Sequence, residues 1–110
     1  MNLPNGNRAI VDIRKLRDYA LNPSHDPGKH KARVFKAALG LLQTDADWLR
    51  EELLSAAATS TCYLGTHTSQ GQRFVMEIEL NRGELTATVR AVWNIPAAGV
   101  APRLITCHVL

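Results

Sequence analysis

The chain is short of several things, and each shortage excludes a class of function. It has two cysteines in 110 residues, Cys62 and Cys107. They are too few and too far apart for a cysteine metal motif or a disulfide framework. Both fall in strand-like runs, which suits reduced core thiols, as in a reducing cytosol, better than a cross-strand disulfide. Aromatic residues make up only 5% of the chain. No apolar run approaches the ~18 residues that span a bilayer. The opening "MNLPNGNRAIVD" lacks the apolar stretch of an export signal. Repeats and low-complexity tracts are missing, and so are a nucleophile elbow, a phosphate-binding P-loop and a dinucleotide fingerprint. The four histidines are not joined by carboxylates at metal-ligand spacing, so no metal and no other cofactor is expected.

What remains is ordinary for one soluble globular domain: 45% hydrophobic and 21% charged residues. The charge is unevenly placed. Residues 1–40 hold eight Lys/Arg against three acids, whereas residues 41–110 hold five against seven. A basic leading segment favours an anionic partner, nucleic acid first.

Periodicity divides the chain into three helices followed by strands. Asp12 caps a helix over 13–21, with Ile13, Leu16 and Ala20 on one face and Asn22-Pro23 as the stop. The second helix runs from Pro27 to Leu39, with Gly40 as the left-handed end and Val34, Phe35, Ala38 and Leu39 turned inward. The third starts at Thr44, where Asp47 resembles a capping box, and buries Leu49, Leu53, Ala56 and Ala57. The period then changes to two. "RFVMEIEL" places Phe74, Met76, Ile78 and Leu80 on one face. After the turn "NRGE", Leu85, Ala87, Val89, Ala91 and Trp93 take the same face. "TCYLGTH" and "RLITCHVL" read as flanking strands. The expected fold is α+β: three N-terminal helices packed on a C-terminal four-stranded antiparallel meander. It forms a single domain, with a basic helical segment over residues 1–40, a third helix in 41–60 and the sheet in 61–110.

The stretch "SHDPGKHKARVF" poses the functional question. His25, Lys29, His30 and Lys31 crowd a helix N-terminus, where cations oppose the helix dipole by roughly 0.3–1 kcal/mol each. A bound anion would explain the arrangement, because free N–H groups, the dipole and the cations all favour phosphate. Gly28 would let a ligand approach the backbone. The plain alternative is that Lys31 snorkels from the core edge while His25 caps a loop. Lys29, Arg33 and Lys36 fall on the solvated face.

The segments "LPNGNRAIVDIRKLRDYALNPSHDPGKHKARVF", "GQRFVMEIEL", "VRAVWNI" and "PRLITCHVL" resemble a small bacterial domain family of uncharacterised function. That family often forms the C-terminal tail of polymorphic toxins. The order of helices then four strands is similar to the barnase–EndoU–colicin–RelE superfamily of metal-independent ribonuclease toxins. The colicin D-like branch pairs a Lys/His cluster on a helix with a strand tryptophan, here Lys29, His30, Lys31 and Trp93. It carries a serine two residues before the tryptophan, where this chain has Ala91, which would move the hydroxyl's role to Thr88 or Thr106.

The resemblance implies RNA as substrate (tRNA among the candidates), an acidic immunity protein as partner, and no membrane partner. The cytoplasm would be the site of action, with delivery as the tail of a secreted effector. RNA supplies its own 2′-OH nucleophile, so the protein needs an acid, a base and phosphate-stabilising cations. His25 and His30 are the candidate acid–base groups, Lys31 the cation at the scissile phosphate, and Arg90 and Thr106 the positioning groups. Lys29, Arg73 and Trp93 would bind substrate, although the inward phase of Trp93 also suits a core role. Glu77, Arg90 and His108 form an alternative barnase-like trio on the polar sheet face; His67, near a turn, is left without a role. Two further readings are a noncatalytic binding module using the same basic helix start, and a neutralising partner of a toxin, which a basic pI near 9.2 disfavours.

Overall fold

The computed structural model describes residues 1–110 and is α+β, with three helices preceding a four-stranded antiparallel sheet. Helix α1 opens as an α-helix, Ile13–Lys15, under the Asp12 cap, whose carboxylate accepts from the Arg14 N–H at 3.0 Å. It continues as a π-helical segment, Leu16–Ala20, closed by the Leu21 N–H donating to the Leu16 carbonyl at 2.8 Å. Hydrophobic spacing does not reveal that widened turn.

Helix α2 covers Lys29–Leu39 and stops at Gly40, whose φ of 66° is the expected left-handed end. Two details depart from expectation. The helix starts at Lys29, because Asp26–Gly28 form a turn. The buried face is Ala32, Phe35 and Leu39, leaving Val34 44% exposed. One 100° step from Phe35 carries Val34 off the buried stripe.

Helix α3 covers Ala46–Thr59 and buries Leu49, Leu53, Ala56 and Ala57 as expected. Its lead-in differs: a 3-10 turn, Gln43–Asp45, precedes it, and the reciprocal pair is Leu42 with Asp45 rather than Thr44 with Asp47. The Leu42 N–H donates to the Asp45 carboxylate at 2.8 Å, and the Asp45 N–H to the Leu42 carbonyl at 2.9 Å.

The strands are β1 (Tyr63–Thr68), β2 (Gly71–Arg82), β3 (Leu85–Ile95) and β4 (Arg103–Val109), hydrogen-bonded in sequence order. Strands β2 and β3 stay in register from Gln72 opposite Ile95 to Arg82 opposite Leu85. Phe74, Met76, Ile78, Leu80, Val89, Ala91, Trp93 and Ile95 are buried, as the alternation requires. Leu85, at the turn, is 45% exposed instead. Between β3 and β4 the register slips: Val92 faces Thr106, but Trp93 faces Leu104. Ile105 is the extra residue of this bulge. It lets Leu104 and Cys107 both enter the core while Thr106 and His108 stay outside it.

One cluster of 24 buried residues draws on all three helices and on β2, β3 and β4. The chain start is tied in by an antiparallel bridge from Asn2 to Thr61 and a parallel bridge from Ile10 to Arg103. Cys62 and Cys107 are buried free thiols. One lies just before β1 and the other in β4, so about three strand spacings, ~14 Å, separate them. Burial pushes the Cys107 thiol up to about 12. No helix is long and apolar enough to cross a membrane.

Glycines 71 and 83 offer a controlled comparison. Gly71 has φ 135°, and a Cβ there would meet the Ile95 carbonyl oxygen at 2.3 Å. Gly83, at φ 62°, has open space around its missing side chain. Gly71→Ala is expected to lower unfolding free energy by roughly 2–4 kcal/mol, from backbone strain and clash together. Gly83→Asn should change it by less than about 0.5 kcal/mol, since Asn tolerates that conformation. Urea denaturation of both variants checks this; equal losses would refute it.

Candidate functional site

The start of α2 is built around two close contacts. The His25 Nδ1 accepts from the Gly28 N–H at 3.1 Å, and the His25 carbonyl accepts from the Lys29 N–H at 2.7 Å. His25 is therefore a helix cap. A ring accepting at Nδ1 carries its proton on Nε2, so in this state His25 can donate a hydrogen bond outward but has no basic nitrogen left. This contact matches the plain alternative in which His25 caps a loop, set beside the acid–base role expected of it. Gly28 is needed for a different reason than expected. A Cβ there would lie 2.5 Å from the Tyr19 carbonyl oxygen, so the chain's own backbone, not a ligand, occupies the space.

Lys29 is 3.3 Å from Asp26, a solvated pair that contributes little. Lys31 is unlike it. Its ammonium donates to the Thr106 hydroxyl at 2.8 Å and stands 5.2 Å from the centroid of the Tyr19 ring. Lys31 is half-buried and has no carboxylate within 4 Å. The backbone N–H groups of His30 and Lys31 find no acceptor in the chain, so the helix end keeps free donors beside this cation.

Strand β4 supplies the opposite wall. Across the sheet, Glu77 faces Arg90 and Arg90 faces His108, one row from the line Tyr63, Val75, Val92 and Thr106. The trio and the helix cluster, separate candidates in the sequence, thus meet at β4. His30, Lys31, Thr106 and His108 line one groove of about 390 Å³. Burial first, then the charges of Lys31 and Arg90, lower the His108 pKa below its ordinary value of 6.5, so this imidazole is neutral at neutral pH. Arg90 is held by Glu77, with its Nε at 3.1 Å, and that hydrogen bond lowers the Glu77 pKa. Both members are more than one-third exposed, so solvent screens the pair, which contributes little and can be exchanged for another anion.

Two expected substrate-binding residues lie elsewhere. Trp93 is fully buried in the core, and no nucleobase can reach its ring. Arg73 pairs across β2 and β3 with Asn94, one row from the line of Val75 and Val92 on the side away from Glu77 and Arg90, and its Nε is buried without a partner. His67, exposed in β1, lines a separate cleft with Pro4 and Phe74. Nowhere do three His, Cys, Asp or Glu side chains converge as metal ligands.

Sequence reasoning passed over Lys15 and Tyr19. Both line a second cleft, about 440 Å³, between α1 and β4, together with His25, Ile105 and Thr106. The Lys15 ammonium reaches the Ile105 carbonyl at 3.4 Å, and the Tyr19 ring meets the His25 ring edge-on at 4.6 Å. Neither belongs to a local motif; only the closeness of α1 and β4 brings them in.

Residues 2–110 match the family described as Domain of unknown function (DUF6883), and the chain belongs to that family. No curated protein and no solved structure matches it significantly.

His108 makes a pH prediction. Its folded pKa is depressed, so the unfolded chain binds the proton more readily. Stability should be complete above pH 6.5 and fall as pH drops below it, down to the folded pKa. His108→Gln should flatten that segment of the stability curve. An unchanged slope between about pH 6.5 and 5 in paired urea titrations would remove His108 as its source.

Proposed function

We propose that this domain is a metal-independent ribonuclease that cleaves RNA by 2′-OH attack on the adjacent phosphate. The observation that carries the reading is the single groove holding two imidazoles, an ammonium and a hydroxyl: His30, Lys31, Thr106 and His108. Neutral His108 takes the 2′-OH proton as the oxygen attacks phosphorus. The P–O5′ bond breaks, and His30, as the general acid, delivers a proton to the leaving oxygen. The products are a 2′,3′-cyclic phosphate end and a 5′-hydroxyl end. Lys31 and the free N–H groups of α2 stabilise the charge on the phosphorane, while Thr106 holds Lys31 in place. Arg90 adds a phosphate contact when it exchanges Glu77 for substrate.

In this reading the three helices pack on one face of the sheet, which the shared core supports, and the face bearing Arg90 and His108 stays open to RNA. The family resemblance adds a toxin role, with tRNA among the substrates and action in the cytoplasm after delivery as the tail of a secreted effector. An acidic immunity protein would be the partner that covers the groove, through complementary charge.

A second reading is a noncatalytic nucleic-acid or protein binding module of a toxin/immunity system. The observations favouring it are that His25 is committed to capping and Arg90 to Glu77.

Purified domain incubated with total RNA in excess chelator decides between them. Cleavage to 2′,3′-cyclic phosphate ends is expected, with Lys31→Ala and His108→Ala each slower by at least about 100-fold and still folded. Brief expression in bacteria should arrest growth for the wild type alone. Intact RNA over hours, together with salt-dependent binding, would replace the nuclease by the binding module.

A further inference from the structure

We propose that Tyr19 is a nucleobase platform, and that the cleft between α1 and β4 receives one unpaired nucleotide of the RNA. The inference rests on the phosphate-binding role given to Lys31 and names where the rest of that nucleotide goes.

Fully buried Trp93 leaves a single-stranded substrate without its expected aromatic partner. Tyr19 is an aromatic group that remains within reach. It is half-buried, it lines the α1–β4 cleft, and Lys31 Nζ stands 5.2 Å from its ring centroid. The ammonium covers one face of the ring, and the cleft, which Lys31 does not line, leaves the rest of the ring to a base. Thr106 lines both the groove and the cleft. The Lys31–Thr106 hydrogen bond is therefore the divider, with proton-transfer groups on one side and Tyr19 on the other.

The ring is also held in place. The π-helical segment Leu16–Ala20 sets its azimuth. Its backbone is fixed by the close approach of Gly28, and the His25 imidazole braces it at 62°. The capping bond at His25 Nδ1 thus serves the site indirectly, by locking the ring that braces Tyr19. Leu16 and Ile105 give the cleft an apolar lining suited to a base, while the Lys15 ammonium and the carboxylates of Asp12 and Asp18 stand at its polar side. Stacking tolerates any base, so the site distinguishes unpaired from paired nucleotides and not one base from another.

The test compares uridine 3′-monophosphate and adenosine 3′-monophosphate with ribose 3-phosphate by calorimetric titration, beside an RNA cleavage assay. Wild type should bind both nucleotides roughly 5- to 100-fold more tightly than ribose 3-phosphate. Tyr19→Leu should erase that difference, so that all three ligands bind alike. Tyr19→Phe should retain it, which separates the ring's contribution from that of the hydroxyl and from any loss of folding. Equal binding of all three ligands by wild type, or a nucleotide preference that survives Tyr19→Leu, overturns the proposal even if RNA is cleaved. Failure of wild type to bind any of them overturns it as well. A Tyr19-dependent preference without RNA cleavage supports the cleft and defeats only the nuclease reading.

Discussion

The hydrogen bond from the Lys31 ammonium to the Thr106 hydroxyl joins positions 75 residues apart and settles how α2 meets the edge of β4. Helix α2 lies against β3 and β4, and Lys31 is the polar end of that contact. The bulge at Ile105 makes the bond available, because it keeps Thr106 out of the core while Leu104 and Cys107 go in. Without the slipped register, a strict alternation would bury Thr106 on the side of Leu104. The groove with His30 and His108 and the cleft with Tyr19 both have Thr106 in their walls, so both depend on this geometry.

The charges around that bond sort themselves by partner. Arg14 is paired with Asp12, Arg17 with Asp18, Arg82 with Asp45 and Arg90 with Glu77. Lys31 has a hydroxyl and an aromatic ring, and Lys15 a carbonyl. Withdrawing a cation from water without a counter-charge is unfavourable. An incoming anion removes that penalty, whereas a cation already paired gains less from the exchange. Lys31 and Lys15 thus differ from the exposed Arg90–Glu77 pair in having no carboxylate to give up.

The sheet was the most legible part of the sequence. An alternating pattern over Phe74–Leu80 and Val89–Trp93 excludes a one-residue slip, which would turn every apolar side chain to water, and the turn between the strands sets the rest of the register. Gly40 was equally plain, since few residues other than glycine tolerate its backbone angle. Lys31 and Thr106 were both singled out, and they meet. The π-turn, the bulge and the true phase of Val34 were not legible. Each depends on how one element docks on another, not on local spacing. His25 was legible only as two alternatives, because a side chain that caps a helix end and one that could move a proton look alike in sequence; the Gly28 N–H shows the cap. Tyr19 carried no signal at all, because its neighbours Lys31 and His25 lie outside its own helix.

The two thiols lie toward opposite edges of the sheet and are shut away from solvent, so the fold contains no covalent cross-link. Its 110 residues can be drawn out into one linear thread without any reductant, and they can return to the native state without an oxidant or an isomerase for disulfides. In a reducing solution both thiols stay free through unfolding, so refolding requires no covalent rearrangement.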